Sequence, residues 1–137
     1  MNRLIKRKAG FIVLVSGALF LVSCKKNETP PVANVERTIR FVLYTEKDFS
    51  NENGNIIFSV VIRKDNRPIF DSSFAVMKVK DIPTLSNRIV CEKKILVDEN
   101  AKLTAGFLYT LENIGNSWHI ELCEPNERFK EINYSFQ

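Results

Sequence analysis

From Arg37 onward the apolar residues recur every second position rather than every third or fourth. Ile39, Phe41 and Leu43 alternate with Arg40, Val42 and Tyr44. Successive side chains of a strand point to opposite faces, so a period of two predicts β-structure. The second face of this first run is itself partly apolar, which predicts a strand covered on both sides. Ile56, Phe58, Val60 and Ile62 continue the pattern, then residues 69–74 and 76–80 as one long or two short strands, with Pro68 suited to a strand start. Residues 88–97 form another run, and Leu103, Ala105, Phe107, Tyr109 and Leu111 give the cleanest alternation. Trp118, Ile120 and Leu122 then alternate with His119, Glu121 and Cys123. Phe129, Ile132, Tyr134 and Phe136 form the last run, and their uneven spacing predicts a bulge near Lys130 and Glu131. Between the runs lie turn-forming stretches at residues 46–55, 64–68, 81–83, 98–100, 113–116 and 124–127. With no helical period after the first two dozen residues, about seven or eight strands predict an antiparallel β-sandwich over residues 37–137.

The parity argument extends to Trp118. Its strand places it with Ile120 and Leu122, and a turn over Asn113–Asn116 puts that set in phase with Phe107, Tyr109 and Leu111. That predicts a buried core anchor. The competing reading is an exposed aromatic platform that stacks on a sugar or a peptide.

The first 24 residues follow a different logic. Arg3, Lys6, Arg7 and Lys8 precede thirteen uncharged residues, 9–21, and the segment closes on Leu21-Val22-Ser23-Cys24. A secretory apolar segment runs about 7–15 residues and a membrane-spanning helix needs about 20. The leader therefore reads as a removable signal. Its last four residues resemble the lipobox of bacterial lipoproteins. The resemblance implies thioether lipidation of Cys24, cleavage between Ser23 and Cys24, and acylation of the new amine. It predicts a signal over residues 1–23, a lipidated cysteine with an extended spacer over 24–36, and an outer-membrane lipid anchor facing the periplasm. Lys25 and Lys26 follow the cysteine, where neither an inner-membrane retention aspartate nor an acidic surface-export run is found.

Charge then changes meaning. The net charge of +4 comes from 20 basic and 16 acidic residues, and four of the basic ones lie in the leader. The remainder is balanced, which gives no electrostatic case for a nucleic-acid partner.

Chemistry-bearing residues are few. His119 is the sole histidine, so a hydrolytic triad would need it as base, with Asp71, Ser72 or Ser73 as partners, and no Gly-x-Ser-x-Gly elbow occurs. His119, Glu121 and Cys123 share one strand face, but the outer two are about 13 Å apart on a regular strand, too far for one zinc ion. Residues 48–55 are rich in oxygen donors but lack the order of a calcium loop. No metal and no cofactor is predicted. Cys91 and Cys123 are left either as a disulfide or, on the reading favoured here, as two free thiols in strands.

In size, strand spacing and leader the chain resembles the small immunoglobulin-like or transthyretin-like sandwiches of exported bacterial lipoproteins. The resemblance covers residues 37–137. The reading adopted for the whole chain is a non-catalytic envelope module that binds another envelope protein, a peptide or a glycan, with Trp118 and His119 as contact candidates. The alternative is a small envelope hydrolase or enzyme inhibitor using the His119 region. A third possibility is a subunit that exchanges a strand at a sheet edge.

Overall fold

The computed structural model describes residues 32–137; the leader, Ser23, Cys24 and most of the spacer lie outside the described residues. Eight strands follow in order: β1 (Asn34–Thr45), β2 (Asn55–Lys64), β3 (Arg67–Ser73), β4 (Met77–Lys78), β5 (Ile89–Asp98), β6 (Leu103–Leu111), β7 (Gly115–Cys123) and β8 (Phe129–Phe136). Two short 3-10 turns, Val79–Asp81 and Leu85–Asn87, take up the stretch between β4 and β5. The first strand begins at Asn34, inside the stretch that composition assigns to the spacer.

The strands form two sheets, one ordered β5-β1-β8 and the other β3-β2-β6-β7, with β4 also pairing with β2. The fold is an all-β sandwich. Its pairings are antiparallel except one: β1 runs parallel to β8. Parallel neighbours cannot be joined by a hairpin, and these two strands stand at opposite ends of the domain, so no hairpin constrains them. The register from Thr38↔Phe129 to Thr45↔Phe136 is unbroken. The bulge predicted near Lys130 and Glu131 is therefore absent. Phe129 simply faces outward, with the Arg40 guanidinium 5.1 Å above its ring. A register shift occurs instead between β2 and β3, at Ile62 and Arg63.

The core is built from the alternate residues that the sequence singles out. Ile39, Phe41 and Leu43 from β1 meet Ile56, Phe58, Val60 and Ile62 from β2, Leu103, Ala105 and Phe107 from β6, and Ile132 and Phe136 from β8. Phe41 and Phe107 join the sheets edge to face, with ring centroids 5.7 Å apart. The expectation that β1 is covered on both sides holds only at Val42, which is 3% exposed; elsewhere no third layer lies over the outer face among the described residues. That face is held by charge: Arg40 reaches Glu92 on β5 at 3.1 Å and Glu131 on β8 at 3.4 Å.

One charged side chain is wholly inside. Arg37, 1% exposed, donates from Nε to the Glu127 carbonyl (2.8 Å), from Nη1 to Ala101 (2.7 Å) and from Nη2 to Glu124 (2.5 Å). A planar guanidinium can serve three acceptors at once, so it ties the β5–β6 and β7–β8 loops to β1.

Candidate functional site

The β6–β7 hairpin sets the positions that matter. Asn113 takes a positive φ of 62° and Gly115 one of 127°, and the hairpin closes with Leu111 opposite Gly115. This register pairs Phe107 with His119 and Leu108 with Trp118. His119, Glu121 and Cys123 therefore share the inner face of Phe107. Trp118 and Leu122 point outward with Leu108. The predicted parity is reversed, and Trp118, expected in the core, is 71% exposed. The structure gives Trp118 the exposed position that the competing reading requires.

Trp118 stands on the outer face of the larger sheet. Beside it lies Ile57, 36% exposed, with Ile120 and Leu108 half-buried between the strands; Leu122, 47% exposed, stands on the same face four residues further along β7. A groove of about 230 Å³ opens beside the indole, floored by Ile57 and Leu108 and rimmed by Ser59, Thr110 and Asn116. Thr110 Oγ1 donates to Asn116 Oδ1 at 2.7 Å, which leaves the Asn116 amide nitrogen facing out as a donor. Ser59 and Ser73 share one hydrogen bond of 2.8 Å across β2 and β3. Gly106 sits on this same face, opposite Val61 and Ile120. A methyl group there would come within 1.9 Å of the His119 carbonyl oxygen, so only glycine lets β7 approach β6 this closely.

His119 takes the other side of the strand. Its ring stacks on Tyr134 at 5.0 Å, and Nε2 lies 3.2 Å from Glu121 Oε1. Glu121 also meets Lys130 Nζ at 3.0 Å, and this hydrogen bond raises the lysine pKa. Burial, then the Tyr109 hydroxyl, pushes the Tyr134 phenol up. Asp71, Ser72 and Ser73 lie on β3, at the opposite edge of the same sheet, with β2 and β6 between. The structure thus does not assemble the hydrolytic set that could be drawn from the sequence.

The other candidates separate likewise. Both cysteines are free: Cys91 lies on β5 and Cys123 on β7, edge strands of different sheets at opposite flanks of the sandwich. Burial holds the Cys123 thiol at about 11. No group of three or more His, Cys, Asp or Glu side chains among the described residues is placed to hold a metal. In the β1–β2 loop, Asp48 Oδ1 accepts the Ser50 backbone N–H at 2.9 Å, and that bond lowers its pKa. A larger cleft of about 540 Å³ lies between this loop and the 3-10 turns. Its charges balance, with Lys47 and Lys80 against Glu46 and Asp48, and its apolar floor of Phe49 and Ile82 is continuous with the core.

All the long sheet edges carry a blocking device. Lys93 on β5, Glu121 on β7 and Lys130 on β8 point inward at edge positions, and β3 has Pro68. Inward charges and edge prolines oppose the addition of a further strand. Lys93 is tied down over the Phe70 ring at 4.6 Å, which fixes that charge in the gap between β5 and β3.

No protein-family model, curated protein or solved structure matches the chain.

Proposed function

We propose that this protein is a lipid-anchored module of the cell envelope that binds a ligand on the outer face of its larger sheet, with Trp118 as the central contact and no catalytic step. Support for the anchor is the order of basic stretch, short apolar segment and Leu21-Val22-Ser23-Cys24, followed by a polar spacer. The observation that carries the binding reading is the 71% exposure of a tryptophan on a regular strand, beside the exposed Ile57. Leaving such surface in water forgoes about 25 cal/mol for each Å² that burial would remove. Apolar patches rimmed by polar groups mark interaction sites. The guarded edges argue against strand exchange, and the separation of β3 from β7 argues against a triad around His119.

Two experiments test the two halves. Cys24→Ala is expected to abolish incorporation of a fatty-acid label and membrane retention while the domain stays folded; a label that persists overturns the anchor. A photo-crosslinking residue at position 118 in intact cells is expected to give a discrete adduct that the same residue at Glu92, on the opposite sheet, does not. Equal adducts from both positions, or none from either, overturn the binding face.

A further inference from the structure

The ligand class follows from what the groove lacks as much as from what it offers. We infer, resting on the binding face proposed above, that the Trp118 groove takes a neutral glycan, with one sugar ring laid against the indole. None of the residues that line the groove is Asp, Glu, Lys or Arg. An anionic ligand would find no counter-charge, and a cationic one no carboxylate. An extended peptide adds to a sheet through backbone pairing at an edge, and the edge beside Trp118 carries the inward Glu121 with its Lys130 partner.

A sugar ring has an apolar C–H face and a rim of hydroxyls that both donate and accept. The groove matches that division. Trp118, Ile57 and Leu108 supply apolar surface on one side and the floor. Asn116 offers its amide donor because Thr110 occupies the carbonyl oxygen, and the Ser59–Ser73 pair keeps one hydroxyl hydrogen free. Ser59, Leu108 and Trp118 fall in one row across β2, β6 and β7. Neighbouring strands are about 4.8 Å apart, so the serine and the tryptophan stand roughly 10 Å from each other, with one ring's width between their side chains. Along β7 the groove ends beyond Trp118, where the β7 backbone closes over Gly106 and Val61 is buried.

Trp118 is the sole tryptophan, which makes its emission a direct reporter. The detergent-solubilised full-length protein is titrated with maltohexaose, xylohexaose and chitohexaose, each neutral, and with polygalacturonate as an anionic counterpart. The expected result is a saturable blue shift with at least one neutral hexasaccharide and none with polygalacturonate. By calorimetry, Trp118→Ala is expected to remove that binding, and Asn116→Ala to weaken it about three- to tenfold, the range for one hydrogen bond. No shift with any neutral hexasaccharide up to about 10 mM, beyond weak specific affinity, overturns the glycan inference. So does a shift with polygalacturonate alone. If the hexasaccharides are silent while crosslinking at position 118 still yields an adduct, the glycan class fails and the binding face stands; if both are silent, both fall.

Discussion

Arg37 buries a formal charge with only carbonyl oxygens around its guanidinium. Each carbonyl left without its donor inside the protein costs about 1–3 kcal/mol. Lysine offers its donors from one point and cannot span three acceptors in a plane. Arg37→Lys is therefore expected to lower unfolding stability by about 2–4 kcal/mol in urea titration, despite the conserved charge. Trp118 behaves in the opposite sense. Truncating an exposed side chain leaves stability within about 0.5 kcal/mol, whereas emptying a core site such as Phe107 costs about 3–5 kcal/mol. Thermal melts of Trp118→Ala and Phe107→Ala should separate the two, and native tryptophan emission should already lie at long wavelength. Phe107 was legible as core from its alternation, the exposure of Trp118 was legible only as the less favoured of two readings, and the place of Arg37 was not legible at all. Arg37 sits just before an apolar alternation and looks like a flank; nothing local shows that two distant loops converge on it.

At the level of the element, β7 is where reasoning from apolar alternation fails. It assumes that the apolar set faces the core, yet here the inner set is His119, Glu121 and Cys123. Such residues are tolerated inside because β7 is an edge strand, where the gap between sheets lets Glu121 and Lys130 reach water while they pair. Strands deeper in the sandwich obey the alternation: β2 and β6 lie between neighbours and bury every residue the pattern assigned them at their centres. Hairpin length decides the phase, and the positive φ values at Asn113 and Gly115 that set it are backbone choices the apolar pattern does not encode. Gly106 belongs to the same hairpin. Gly106→Ala must push β7 away from β6, because the obstructing atoms are backbone. The variant is expected to lose about 1–3 kcal/mol, as other overpacked sites do, and to show altered acrylamide quenching of Trp118.

For the molecule as a whole, the two buried faces and the strand count were readable from the chain, while the pairing of strands across sequence distance was not, since nothing local in β1 or β8 marks them as partners. The same architecture sets a pH response. Cys123 is protonated in the fold up to about 11, against an ordinary thiol value of 9.0. Its contribution to stability is complete below pH 9 and is lost as pH rises through about 11, because the unfolded chain releases the proton first. Urea midpoints for the native protein should fall over that interval and those for Cys123→Ala should fall less. The parallel pairing of β1 with β8 has a further consequence, and it concerns time. The middle strand of the smaller sheet precedes its parallel partner by most of the sandwich, so that sheet cannot close until Phe129–Phe136 has left the ribosome. A chain halted before Phe129 should stay protease-sensitive along β1, and one released whole should become resistant in a single slow step, as folds dominated by distant contacts do. Under the export proposed above, the chain would carry its own delay, written into which strand lies beside which.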